Sequence, residues 1–212
     1  MNIPILIFQL AILMFSVIIH EISHGYLAEY LGDPTARNAG RLTFNPISHL
    51  DPIGSFILPI SMWYLTGGAF VFGWAKPVPY NPMNLRDPIG GGAKIAAAGP
   101  ISNFLIAIVF GLCIRAMSLL AVAPPYLGEL FGLIVYVNIL LGVFNLVPIP
   151  PLDGSKVLFG FLPRSNASLR LAMMLERYGM VLVLLFVFFG FSLILPIINF
   201  LFLLVTGQQA GL

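Results

Sequence analysis

Long apolar runs separated by short polar segments dominate this chain of 212 residues. A helix needs about 20 mostly apolar residues to cross a bilayer. Four segments meet that length, at about 4–31, 93–122, 127–147 and 179–205, and Pro196 inside the last of them predicts a kink. The pattern therefore predicts an all-α polytopic membrane protein with four spanning helices.

A shorter segment, residues 166–178, combines a helical spacing of apolar residues with a few charges. Asn166 or Ser168 could cap it, because their side-chain oxygens accept hydrogen bonds from the free N–H groups of a first helical turn. We expect a short helix on the membrane surface.

The composition supports a single membrane domain. Hydrophobic residues make up 59% of the chain and charged residues 8%, whereas soluble domains carry about 25% charged residues. The one cysteine, Cys113, excludes an internal disulfide and a cysteine-rich metal site. We interpret residues 1–212 as one transmembrane domain, with a core at about 4–160 and a C-terminal helix at about 179–205.

The first apolar segment ends with a group of ionisable residues that is unusual for a membrane helix. His20-Glu21-Ile22-Ser23-His24 is an H-E-x-x-H motif, and positions i and i+4 of a helix lie on one face, so both histidines can bind one metal ion. Glu21 is placed to activate a water molecule at that ion. The alternative is two buried histidines and a glutamate satisfied by other polar groups, which is unfavourable at membrane depth because all three need partners.

A catalytic zinc ion usually takes three protein ligands, and Asp153 is the best candidate for the third. It follows the third apolar segment in Asn145-Leu-Val-Pro-Ile-Pro-Pro-Leu-Asp-Gly154. The three prolines interrupt the helix, and Gly154 permits a close backbone approach. The alternative for Asp153 is an N-cap of the helix that follows it.

A shared metal site has consequences for the topology. The first and third spanning helices must then end on the same side of the membrane, and the second must begin there. The chain between residues 31 and 93 must therefore leave that side and return to it. For the apolar stretch 54–73 we predict a re-entrant or β-hairpin membrane element, buried against protein because unpaired backbone cannot face lipid.

The distribution of basic residues agrees with this topology. One lysine or arginine, Arg115, falls on the side away from the motif. Positive charge accumulates in cytoplasmic loops, so we expect the motif near the cytoplasmic face and both termini outside. Nine basic residues fall on the motif side: Arg37, Arg41, Lys76, Arg86, Lys94, Lys156, Arg164, Arg170 and Arg177.

Taken together, these motifs closely resemble the site-2 protease family of intramembrane zinc metalloproteases, peptidase family M50. Residues 10–160 carry the resemblance, which is to the compact bacterial and archaeal branch without a PDZ domain. The matching elements are His20-Glu21-x-x-His24, Asn45 to Gly54, Phe72 to Pro79, Gly99-Pro100-Ile101-Ser102-Asn103, and Asn145-x-x-Pro148 leading to Leu152-Asp153-Gly154.

The resemblance implies roles for individual residues. His20, His24 and Asp153 would hold one Zn²⁺ per chain, and Glu21 would be the catalytic base. Asn145 and Asn103 would position the substrate; the alternative for both is an amide that joins two helices by hydrogen bonds.

One further histidine, His49, has two readings. It either acts near the metal, or it is a loop histidine that pairs with Asp51 or a backbone carbonyl. We favour the second reading.

The resemblance also implies a function. The expected activity is hydrolysis of peptide bonds within or near the transmembrane segments of single-span membrane proteins, in a prokaryotic cell membrane, with the bilayer as partner and no nucleic acid. The oligomeric state does not follow from the sequence. A zinc transporter or a non-proteolytic scaffold is the alternative, but transporters line a path with ionisable groups on several helices, and residues 179–205 contain none.

Overall fold

The computed structural model describes residues 3–67, 73–120 and 125–209, and every regular element within these ranges is helical. The α-helices are α1 (Ile3–Tyr30), α2 (Thr35–Asn38), α3 (Leu58–Leu65), α4 (Pro88–Leu120), α5 (Pro125–Asn145), α6 (Asp153–Phe161), α7 (Asn166–Leu185) and α8 (Leu195–Thr206). Four helical segments of the described residues are long and apolar enough to cross a membrane: Ile7–Tyr30, Pro88–Leu120, Tyr126–Asn145 and Asn166–Leu193. The predicted all-α membrane fold with four spanning helices is confirmed.

Helix α4 occupies the centre of the bundle and packs against α1, α5, α6 and α8. Its buried face repeats every three or four residues and is built mainly from small side chains, because small residues let membrane helices approach closely. At Gly111, an added Cβ would collide with Val205 of α8. The buried positions are Gly91, Gly92, Ile95, Ala96, Gly99, Pro100, Asn103, Ala107, Gly111 and Ile114.

The C-terminal region differs from the prediction. Residues 166–178 do not form a separate surface helix but are the first part of α7, which continues to Leu185 because no proline or loop interrupts it. The predicted helix 179–205 is instead divided by a π turn at Phe186–Gly190 and a 3-10 turn at Phe191–Leu193. Pro196 lies in the first turn of α8, where its missing N–H costs nothing, and so starts a helix rather than kinking one.

Despite this division, the C-terminal region runs the length of α5. The rings of Phe186 and Phe144 lie 6.3 Å apart, and those of Phe202 and Tyr136 lie 6.2 Å apart. The apolar core is formed by α4, α5 and α8 and contains Ala107, Ile114, Val135, Ile139, Val143, Ile194, Ile198 and Phe202. These contacts hold α4 and α5 together, and both helices carry residues of the site.

The stretch predicted as a re-entrant or β-hairpin element is helical where the structure describes it. A π turn at Pro52–Ile57 leads directly into α3, and residues 68–72 lie outside the described ranges. The β-hairpin form is therefore wrong for residues 54–65. The physical reason is local: Asp51 Oδ1 accepts hydrogen bonds from the N–H groups of Ile53 (3.0 Å) and Gly54 (2.6 Å), which starts a helix.

The two ends of this stretch meet. Trp74 N donates to Gly54 O (3.0 Å), and Lys76 N donates to His49 O (2.9 Å). The loop thus begins and ends at the same place in the structure, as the topology argument requires. That the loop enters the membrane stays a prediction.

Candidate metal centre

Three predicted ligands converge at one point. His20 and His24 lie one turn apart on α1, and their Nε2 atoms are 3.0 Å and 3.2 Å from the same oxygen, Asp153 Oδ2. The potential ligand atoms all lie within 4.8 Å of one another. The histidines are 5% and 9% exposed, so the cluster is closed to bulk solvent on most sides.

Asp153 reaches the histidines because the chain turns sharply after α5. It is the first residue of α6, and Leu152, not Asp153, occupies the N-cap position. The N-cap alternative is therefore wrong, and the carboxylate is free to face the histidines. Gly154 allows this turn, since an added Cβ would collide with the carbonyl oxygen of Leu146.

Hydrogen bonds to the other ring nitrogens orient both imidazoles. His24 Nδ1 lies 2.6 Å from the backbone carbonyl of Ile95, and His20 Nδ1 lies 2.6 Å from Asn103 Oδ1. A carbonyl oxygen can only accept, so each Nδ1 carries the proton and each Nε2 presents a lone pair. Metal-binding histidines are held in this way in metalloproteins.

This arrangement fits a metal ion. Two imidazole lone pairs and a carboxylate oxygen face one another, which is repulsive unless a cation or proton lies between them. Two nitrogens and one oxygen suit zinc and leave a fourth position open. Gly99 provides the room, because a Cβ at this residue would lie 2.5 Å from both Nε2 atoms.

Glu21 lies beside the cluster but does not join it. Its Oε2 accepts a hydrogen bond from the backbone N–H of Val78 (2.8 Å). Val78 belongs to the connection between the loop 49–76 and α4, and Arg41 holds this connection by donating to Lys76 O (2.7 Å). Sequence reasoning missed this contact, since no residue type signals a backbone donor.

The two asparagines have different surroundings. Asn103 is fully buried, and its amide nitrogen donates to Asn138 Oδ1 (2.9 Å), so it joins α4 to α5, as the alternative reading held. A role of Asn103 toward substrate stays a prediction. Asn145 is partly exposed at the end of α5, and its amide nitrogen donates to Leu141 O (3.0 Å). Its role toward substrate stays a prediction.

His49 and Arg41 belong to the loops around the centre. His49 Nε2 lies 2.8 Å from Thr43 O, which agrees with a loop histidine paired with a backbone carbonyl, and His49 is not among the clustered ligands. Arg41 is 7% exposed, and its guanidinium donates to Lys76 O.

Sequence reasoning also missed Asn138 and Ser16. Both are buried, at 0% and 4% exposure, and Asn138 Nδ2 donates to Ser16 Oγ (2.9 Å). The available signal was an amide in the middle of an apolar helix, because a polar group at membrane depth needs a partner.

Comparison with known proteins agrees with these features. The family model described as peptidase family M50 matches residues 120–186, which include Asn145 and Asp153. The chain is 36% identical to YwhC of Bacillus subtilis over 195 residues, covering 88% of this chain and 84% of YwhC. No solved structure matches the chain.

Two other relatives are longer than the region they share with this chain. Rip2 of Mycolicibacterium smegmatis is 32% identical over 66% of this chain and 52% of its own length. The zinc metalloprotease MJ0392 of Methanocaldococcus jannaschii is 28% identical over 85% of this chain and 42% of its own length. With the spanning helices and the extent of the match to YwhC, these similarities show that the chain is a multi-pass membrane protein that belongs to peptidase family M50, the membrane zinc metalloprotease family that its motifs resemble.

Proposed function

We propose that this protein is an intramembrane zinc endopeptidase that cleaves single-span membrane proteins within or near their transmembrane segments. The observation that carries the proposal is that His20, His24 and Asp153 converge beside the carboxylate of Glu21. The two histidines and Glu21 lie on a helix apolar enough to span a membrane. Ionisable groups are costly at that depth and mark function.

His20, His24 and Asp153 would hold one zinc ion per chain. Bound zinc supplies a Lewis acid that polarises a carbonyl group and makes water more acidic. Asn103 and the carbonyl of Ile95 keep the two imidazoles in the tautomer that ligation requires.

Glu21 would act as the catalytic base. Its carboxylate takes a proton from the attacking water and passes it to the leaving amine. The N–H of Val78 holds one of its oxygens, which leaves the other for the proton transfer. Asn145 would position an extended substrate segment, because a helical substrate hides its backbone in hydrogen bonds.

We place the site near the cytoplasmic face of a prokaryotic cell membrane, with both termini outside. The nine basic residues on the motif side support this orientation. Arg115 strengthens it: the guanidinium donates to the last carbonyls of α8, Leu204 O (2.6 Å) and Val205 O (2.9 Å), and so serves as a helix cap.

The decisive variant is Glu21→Gln, which removes the base and keeps the shape of the side chain. In proteoliposomes with a single-span model substrate, we expect cleavage to fall by about 10²- to 10⁴-fold, while zinc content stays at one ion per chain. Glu176→Gln, an exposed glutamate on α7, is the matched control and should cleave normally.

The outcomes separate the candidate functions. Cleavage at the wild-type rate by Glu21→Gln would remove Glu21 from the mechanism. A wild-type protein that binds zinc but cleaves no substrate would favour the transporter or scaffold. A zinc chelator should abolish cleavage by the wild type.

A further inference from the structure

A buried line of polar side chains leads from the interior of the bundle to one predicted zinc ligand. It begins at Ser16 on α1, passes through Asn138 on α5 and Asn103 on α4, and ends at His20 Nδ1. The successive distances are 2.9 Å from Asn138 Nδ2 to Ser16 Oγ, 2.9 Å from Asn103 Nδ2 to Asn138 Oδ1 and 2.6 Å from Asn103 Oδ1 to His20 Nδ1. Both amides are fully buried, so water does not compete for these bonds.

Backbone carbonyl groups, which can only accept, determine which atom is the donor and which the acceptor in each of these hydrogen bonds. Asn138 Nδ2 lies 2.9 Å from the backbone carbonyl of Ile134 as well as from Ser16 Oγ. The carbonyl requires a donor, so the amino group of Asn138 faces it and the amide oxygen faces Asn103.

The orientation then passes from one amide to the next. Asn103 must turn its amino group toward Asn138 Oδ1, and the carbonyl of Ser16, at 3.4 Å, also accepts from that group. Asn103 Oδ1 therefore faces His20 and accepts from Nδ1. The lone pair of His20 is left at Nε2, on the side of Asp153.

We propose that Asn138 is a positioning residue for the metal centre: through Asn103 it sets the tautomer of His20 and thereby the zinc affinity. This inference rests on the proposed function, since it concerns the same zinc ion. His24 does not depend on such a chain of hydrogen bonds, because the carbonyl of Ile95 orients its ring directly.

A purely structural role makes a different prediction. If Asn138 only joined helices, its loss would lower the thermal stability and leave the zinc affinity of the folded protein unchanged. If it orients Asn103, its loss leaves the amino group of Asn103 with the long bond to the carbonyl of Ser16 (3.4 Å) in place of the 2.9 Å bond to Asn138. The amide can then turn more easily, and His20 loses the acceptor at Nδ1. Outer partners of metal ligands typically contribute about 10- to 100-fold in affinity.

The test compares Asn138→Leu with Asn138→Asp. Leucine has a similar size but offers no acceptor to Asn103, so we expect the zinc Kd to rise about tenfold. Aspartate, protonated or ionised, keeps an oxygen toward Asn103, so we expect a Kd close to the wild type. The measurement is a titration of purified protein in detergent against a chromophoric zinc chelator.

Thr206→Val serves as the control for stability alone. Thr206 is buried at the far end of the bundle and donates to Phe202 O (2.8 Å) within its own helix. Its loss should lower the thermal midpoint without changing the zinc Kd.

Each outcome has one meaning. A folded Asn138→Leu protein with the wild-type zinc Kd overturns the positioning role. An Asn138→Asp protein whose zinc Kd is as high as that of Asn138→Leu overturns it too. If Asn138→Leu does not fold, Asn138→Ala replaces it under the same criteria. A wild-type protein without zinc affinity would instead overturn the proposed function.

Discussion

Room for a metal ion between His20 and His24 depends on the absence of a side chain at residue 99. A Cβ there would lie 2.5 Å from both Nε2 atoms, well inside the roughly 3.5–4.0 Å of a favourable contact between carbon atoms. Both imidazoles are held from behind by hydrogen bonds, so they have little freedom to retreat.

Gly99→Ala should therefore displace the ligands without preventing folding. We expect zinc affinity to fall by at least the ~10- to 100-fold typical of lost ligand support, with cleavage falling in parallel. Zinc content by mass spectrometry and cleavage of the model substrate are the measurements.

Gly128→Ala provides the comparison, because nothing lies within 4 Å of a Cβ at that position. Gly128→Ala should bind zinc and cleave the model substrate as the wild type does. Normal zinc binding by Gly99→Ala would show that the ion does not occupy this space.

At the scale of elements, the connection from α3 to α4 is fastened to α1 at several points. Asp33, directly after α1, accepts from Asn81 N (2.6 Å) and from Asn84 Nδ2 (2.7 Å). Earlier in the same connection, Val78 N donates to Glu21 Oε2. The carboxylate of Glu21 and the loop that touches it are thus both held to α1 and to the residues that follow it.

Asp33→Asn should loosen this attachment and lower the thermal midpoint. Burial raises the pKa of the Asp33 carboxyl, but hydrogen bonds from Thr35, Asn84 and Asn81 outweigh it and lower the pKa below its usual value. A lowered pKa stabilises the fold above the unfolded-state pKa of about 3.9, and this stabilisation is lost as the pH falls through the folded-state pKa.

The difference between the wild type and Asp33→Asn should accordingly be constant near neutral pH and shrink below about pH 4. Thermal unfolding in detergent across pH 3–7 would measure it. Equal midpoints at pH 7 would rule out the anchoring role.

At the scale of the whole molecule, the site is assembled where α1, α4 and the start of α6 meet, and α8 packs against α4 and α5 on another side. Arg115 near the end of α4 binds the last carbonyls of α8, so the end of α8 lies toward the end of α4 opposite the site. The structure thus separates a site end, rich in basic residues, from an end with one capping arginine.

Cysteine labelling can test the proposed orientation. In a Cys113→Ala background, Ala167→Cys marks the start of α7 and Gln208→Cys marks the region after α8; both positions are exposed. A membrane-impermeant maleimide should label Gln208→Cys in intact cells, and Ala167→Cys only after permeabilisation. The reverse pattern would place the metal centre outside the cell and leave its chemistry unaffected.

Much of the fold and the three residues of the candidate metal site were predictable because their signals are local. The length of an apolar run determines whether a helix can span a membrane, and α1, α4 and α5 lie within a few residues of their predicted bounds. The i, i+4 spacing of His20 and His24 places them on one face whatever surrounds the helix. Asp153 could be chosen because it follows the proline-interrupted end of a spanning segment.

The remaining features depended on contacts between distant residues. An apolar pattern suits a hairpin as well as a helix, so the sequence left the structure of residues 54–65 undetermined. It also left open whether residues 166–178 join the helix that follows them. The partners of Asn103, Asn138 and Glu21 come from other elements, 35 to 122 positions away. The sequence by itself thus determined α1, α4 and α5 and the placement of His20 and His24 on one helix face, since both follow from local spacing. Only the tertiary structure decided which polar groups orient the ligands, because hydrogen-bond partners are selected by packing.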